Sequence, residues 1–147
     1  MTIEQLITLR VGDLSAADMF RTSTRRMKVI EWERGGESAS ITAVVDMAGY
    51  VPFVVLTYNI NGRSVRQSVT LRWHSLYNGG GFYYFICPVS GMSCRNLYYS
   101  EERGGFVGRA ATGAVSIKHL RKAEREALEN SPYRWQILRR DKRAVTI

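Results

Sequence analysis

Residues 53–74 read Phe53-Val54-Val55-Leu56-Thr57-Tyr58-Asn59-Ile60-Asn61-Gly62-Arg63-Ser64-Val65-Arg66-Gln67-Ser68-Val69-Thr70-Leu71-Arg72-Trp73-His74. Two β-rich runs flank Asn61-Gly62, the pair of residues that supplies the positive φ angles of a type I′ turn. A two-residue loop fixes the register, pairing Ile60 with Arg63, Tyr58 with Val65, Leu56 with Gln67 and Val54 with Val69. The apolar residues of both strands then share one face, and the alternation carries Leu71 and Trp73 inward. Thr57, Asn59, Ser64, Arg66, Ser68, Thr70, Arg72 and His74 fall on the opposite face, which is polar and basic.

Outward from this hairpin the same period continues. Residues 38–46 alternate, with Ala39, Ile41, Ala43 and Val45 on one side and Ser40, Thr42 and Asp46 on the other, as a half-buried strand requires. Residues 25–32 read as a strand closed by the turn Arg34-Gly35-Gly36. Towards the start of the chain, the spacing of Thr2 and Gln5 suggests a capping box. Ile3, Leu6 and Ile7 then fall on one helical face, predicting a helix over residues 3–10. Ser15-Ala16-Ala17-Asp18 would begin a second helical turn ending before Thr22.

Gly79-Gly80-Gly81-Phe82-Tyr83-Tyr84-Phe85-Ile86-Cys87-Pro88 bounds a strand over residues 82–87, with residues 95–99 as its expected partner across the following loop and residues 106–109 as a third short strand. From residue 116 to 130 the period turns helical: Ile117, Leu120, Ala123, Ala127 and Leu128 form a stripe, and Ser131-Pro132 closes it. Trp135, Ile137 and Leu138 can dock, and residues 139–143 form a basic end.

The Gly80-Gly81, Phe85-Ile86-Cys87-Pro88, Ser90-Gly91 and Leu97-Tyr98 elements resemble zinc-ribbon-like proteins of phages and bacterial mobile elements. Those carry a Gly-Gly-x-x-x-Phe-x-Cys-Pro-x-Cys-Gly knuckle, a Lys-Leu-Tyr strand and a second Cys-Arg-x-Cys knuckle. The likeness spans roughly residues 21–122 and includes the Trp-bearing segment Val29-Ile30-Glu31-Trp32. Of the four ligand positions it implies, only Cys87 keeps a ligand; Ser90, Gly108 and Ala111 hold the others. The resemblance therefore implies a degenerate, metal-free ribbon next to the sheet and no cofactor. It carries no assigned activity.

The expected architecture is α+β: one domain over residues 1–147, with a helical segment (1–24), an antiparallel sheet (25–78), the degenerate ribbon (79–111) and a helix with basic tail (112–147). A chain of 147 residues with 45% hydrophobic residues buries enough surface to fold without a metal. No apolar run approaches the ~20 residues of a membrane helix, and the first residues lack a signal-peptide pattern, so a cytoplasmic protein with no membrane partner is expected.

Chemistry is easier to exclude than to assign. Cys87 and Cys94 are seven residues apart, which is too wide for a zinc knuckle. A composite site of Cys87, Cys94, His74 and His119 is the sharper alternative to two ordinary thiols, and a Cys87–Cys94 disulfide disagrees with a reducing compartment. No nucleophile motif, paired carboxylates or phosphate-loop spacing is present, so no catalytic residues are expected. A net charge of +8 favours polyanions. Residues 118–143 hold nine bases and four acids, and residues 21–34 hold five bases and two acids. Aromatic residues from Phe82 to Phe85, with Tyr98 and Tyr99, are interleaved with Arg95, Arg103 and Arg109, the mixture that single-stranded nucleic acid platforms use. Burial of both ribbon faces is the competing reading. The candidate nucleic-acid contacts are Arg66, Arg72, Arg95 and Arg109 on strands and Lys118, Arg121, Lys122 and Arg125 on the helix. The alternative partner is a host or phage protein, which would make the chain an inhibitor of host defence or a virion or assembly component.

Overall fold

The computed structural model describes residues 6–60, 62–113, 122–123, 135–138 and 143–147. It is mostly antiparallel β-sheet, 54% strand and 10% helix, curled into a half-barrel. Seven strands follow one another in the larger sheet: β10 (Gln136–Ile137), β2 (Arg25–Arg34), β3 (Glu37–Asp46), β4 (Phe53–Ile60), β5 (Arg63–Ser75), β6 (Gly81–Ile86) and β7 (Ser93–Cys94). β11 (Val145–Thr146) also pairs with β2. A smaller sheet runs β1 (Thr8–Arg10), β8 (Asn96–Ser100), β9 (Gly105–Val107). Between β1 and β2 lies α1 (Val11–Ala16), and α2 (Arg109–Thr112) follows β9.

The central hairpin has the register that its turn dictates, with Ile60 opposite Arg63, Tyr58 opposite Val65, Leu56 opposite Gln67 and Val54 opposite Val69. Gly62 sits at φ +78° with open space around it. A valine there meets a backbone penalty alone: Gly62→Val is expected to lower stability by about 2 kcal/mol, read as a fall in Tm, because a β-branched residue resists positive φ. The β3 alternation also holds, since Ile41, Ala43 and Val45 are buried.

Leu9 and Leu97 from the small sheet meet Ile30, Leu56, Val69, Leu71 and Phe85 from the large one in a single core. The two sheets are tied by polar bonds as well. Trp32 Nε1 donates to Thr8 O at 3.1 Å. Gln67 acts as a short substitute strand: its Nε2 donates to Phe106 O at 2.7 Å and its Oε1 accepts the Phe106 N–H at 2.9 Å. Tyr58 Oη adds a third bond, to Gln67 Oε1 at 3.2 Å.

The N-terminal helical reading fails over residues 8–10, which pair with β8 as a strand, Leu9 opposite Leu97. Residues 1–5 lie outside the described residues. Tertiary pairing and complete burial of Leu9 outweigh a weak local helical pattern. The helix expected from Ser15 onwards ends there instead, because Asp18 takes a left-handed φ of +57° and the Met19 N–H bonds Leu14 O.

The ribbon also differs from expectation. The partner of β6 is β7, Phe85 opposite Cys94, whereas residues 96–100 leave for the small sheet and pair with β1 and β9. Chain direction changes sheets at Arg95. Residues 106–107 do form a strand, but Arg109 already belongs to α2. The helix read over residues 116–130 lies outside the described residues except for Lys122 and Ala123, which are helical and exposed. Among the described residues no helix is long and apolar enough to cross a membrane.

Candidate nucleic-acid interface

β5 outruns the core, and its last third pairs only with β6, so this part of the sheet overhangs. Arg72 lies opposite Tyr84, and His74 opposite Phe82. Cross-strand partners share a face, so these four side chains stand together on the outer side, continuous with Arg66, Ser68 and Thr70. The inner side carries Leu71 opposite Phe85 and Trp73 opposite Tyr83. His74 is 5.1 Å from Phe82 and 6.4 Å from Tyr84 between ring centroids. The Arg95 guanidinium lies 4.3 Å from the Phe82 ring centroid, a cation–π arrangement. Arg66, Arg72, His74 and Arg95 are exposed, and Phe82 and Tyr84 are half-buried. No ion pair among the described residues engages Arg66, Arg72 or Arg95.

The face thus brings together three of the sequence candidates, Arg66, Arg72 and Arg95. Arg109 is exposed at the start of α2 and Lys122 is exposed further on. Lys118, Arg121 and Arg125 lie outside the described residues. His74, Phe82 and Tyr84 were not among the candidate contacts. The alternation already placed His74 beside Arg72, but the β5–β6 register that adds the two rings depends on the loop at residues 76–80.

The aromatic residues do not form one platform. Tyr83 turns inward against Phe20 at 4.9 Å and Trp73 at 4.9 Å. Tyr99 packs in the small sheet, 5.7 Å from Phe106 and 6.1 Å from Tyr58. Trp73, expected inside, is 48% exposed, because the overhang carries it past the core. The basic patch of residues 21–34 is largely neutralised or buried. Arg21 pairs with Asp18, Arg25 with Asp46 and Arg34 with Glu37. Arg26 is 5% exposed and donates to Ala144 O and, at 2.7 Å, to Thr146 Oγ1, clamping β11 onto β2.

Next to the overhang, the turn after β6 wraps the Cys87 sulfur. The Ser90 N–H points at Cys87 Sγ at 3.4 Å and the Gly108 N–H at 3.3 Å. Burial works to raise this thiol, but bonds from the Ser90 side chain and from the backbone N–H groups of Ser90, Gly108 and Val89 outweigh it and hold it below its ordinary value. Cys94 is pushed up to about 11 by burial and by the neighbouring Cys87 charge. Both cysteines are free. A Cβ on Gly108 would lie 3.4 Å from Cys94 Sγ and 3.5 Å from Cys87 Sγ, so the two sulfurs flank one glycine. With 2% exposure, Cys87 offers solvent no nucleophile. Among the described residues no group of three or more His, Cys, Asp or Glu side chains could hold a metal ion, and His119 of the composite site lies outside them.

The outer face offers rings that can stack and guanidinium groups that no ion pair among the described residues engages. Comparison with protein-family models, with curated proteins and with solved structures found no match for this chain.

Proposed function

We propose that the protein binds single-stranded nucleic acid through the outer face of β5 and β6, without strong sequence specificity and without catalysis. The observation that carries this reading is the cross-strand square of Arg72, His74, Phe82 and Tyr84, extended by Arg95 over Phe82 and by Arg66 along β5. Every base has a π-face that a half-exposed ring can stack on, and the guanidinium groups meet phosphates on either side. A net charge of +8 steers polyanions toward such a face.

In this reading the chain is a phage or mobile-element accessory protein whose Cys87 turn descends from a zinc knuckle. The N–H bonds that Ser90 and Gly108 direct at Cys87 support that descent, since both are among the four implied ligand positions. The finer α+β description, with a metal-free ribbon and a helix after it, belongs to the same proposal.

Affinity for mixed-sequence single- and double-stranded DNA, measured by fluorescence anisotropy across salt concentrations, tests it. Arg66→Glu with Arg72→Glu should lower the log–log salt slope for single strands by about 1.4, roughly 0.7 per lost phosphate contact. Phe82→Ala with Tyr84→Ala should weaken single-strand binding about tenfold or more, with little change in the slope. Circular dichroism checks that the sheet survives. Wild-type protein that binds neither form at low salt would remove the proposal.

A further inference from the structure

β3 and β4 are paired only from Thr42 opposite Thr57 to Asp46 opposite Phe53. Beyond that point each strand keeps its other neighbour: β2 follows β3 out to Arg34 opposite Glu37, and β5 follows β4 out to Ile60 opposite Arg63. Two intact hairpins therefore diverge, and the freed edges at residues 37–41 and 58–60 face one another across a cleft of about 780 Å³. Trp32, Tyr58, Tyr99 and Phe106 contribute to its lining, and Ser38, Ser40 and Asn59 stand on the walls.

Strand edges with unpaired N–H and C=O groups template further strands, and proteins blunt them with Lys, Pro or bulges. Neither freed edge here contains Lys or Pro, and Ser38, Ala39 and Ser40 on β3 are small enough to let another backbone approach. An edge of five residues spans about 17 Å, the length of an ordinary strand. Among the described residues that line it, the charged ones are both carboxylates. Glu37 and Glu101 line it, Glu37 held by Arg34 at 3.0 Å. Glu102 lines an adjoining cleft of about 660 Å³ that shares Ile7, Glu37, Tyr99 and Glu101 and also holds Arg34, the partner of Glu37. Glu101 and Glu102, which no ion pair among the described residues engages, favour a cationic side chain there over a phosphate.

We propose that this cleft captures an extended, Lys- or Arg-bearing segment of a partner protein, which adds as a strand between the diverging edges of β3 and β4. Main-chain bonds supply the affinity of this recognition mode and the acidic rim selects the charge. The site is separate from the β5–β6 outer face, so one protein holds a polyanion on one surface and a basic peptide on another.

A random ten-residue display library panned against the whole protein provides the probes. Enriched peptides are then synthesised and titrated. They should combine β-branched residues with Lys or Arg, and N-methylation of alternate backbone nitrogens should weaken binding in both phases, because successive N–H groups of a strand between two edges face β3 and β4 in turn. Glu101→Lys, an exposed position, should weaken them at least tenfold, and Glu37→Lys with Glu101→Lys further, while single-stranded DNA affinity is not reduced. Loss of DNA binding by wild type would strike the proposed function and leave this proposal standing. Failure to enrich any peptide, binding indifferent to both charge reversals, or tolerance of N-methylation in either phase would overturn it. So would a dimer of the protein alone, seen by sedimentation and dissociated by the charge reversals, which would assign the cleft to a second copy.

Discussion

Gln67→Leu is expected to destabilise the fold by about 4 kcal/mol, because it removes the partners of both backbone polar groups of the buried Phe106 at once. Phe106 is 2% exposed, and its outer N–H and C=O are satisfied by the Gln67 amide rather than by another strand. Leucine matches the side chain in size but leaves these two groups and Tyr58 Oη without that partner. Each buried orphan costs about 1–3 kcal/mol, and a loss of this size in a chain of this length lowers Tm by about 10 °C. Gln67→Glu separates the bonds: its carboxylate still accepts from Phe106 and Tyr58 but cannot donate to Phe106 O, so an intermediate Tm is expected. Equal melting of the leucine variant and wild type would mean that the small sheet does not depend on this bridge.

A comparable loss is expected at Gly81, where the aromatic overhang begins. A Cβ at this position would collide with the His74 carbonyl oxygen and lie 2.5 Å from Trp73 Cζ2. The Trp73 ring lies across the glycine, and the backbone oxygen cannot swing aside as a side chain can. Gly81→Val should therefore cost about 3 kcal/mol and splay the first pairs of β5 and β6, taking Phe82 away from His74. Single-strand affinity should fall in the same variant by tenfold or more, the size of a lost stacking contact. Gly80→Val is the control, since a Cβ there meets only Asn78 Oδ1 at 3.6 Å. A Gly81→Val protein with wild-type Tm would refute the close approach of Trp73 and His74.

Where sequence pattern is local, the fold could be read directly. Asn61-Gly62 and the alternation around it specify the register of β4 and β5 pair by pair, and Gly35-Gly36 closes β2 onto β3 as expected. The errors fall where distant chain decides. Thr8-Leu9-Arg10 carries too few residues to declare a strand, and only Leu97 opposite Leu9 makes it one. Arg26 looks like any surface cation until Ala144 O and Thr146 Oγ1 accept hydrogen bonds from it. Half of the candidate interface was legible for the same reason. Arg66, Arg72 and His74 share a face by period two alone, whereas the pairing that places Phe82 and Tyr84 beside them follows from the course of the chain after Ser75. The transfer of residues 96–100 into the small sheet had no local signature.

Chain order gives the small sheet a particular place in time. β2, β3, β4 and β5 are successive hairpins, whose contacts form between neighbours in sequence, while β1 must wait for β8, about 90 residues later, before Thr8 can meet Tyr98. Contacts of long sequence separation are slow to close. During synthesis the meander can assemble as it emerges, with Trp32 and Phe106 meeting only once β9 has been made. Arg26 waits longer still, for Ala144 and Thr146. A ribosome-stalled chain ending before β8 would therefore present a formed meander with an uncovered inner face, a substrate for chaperones.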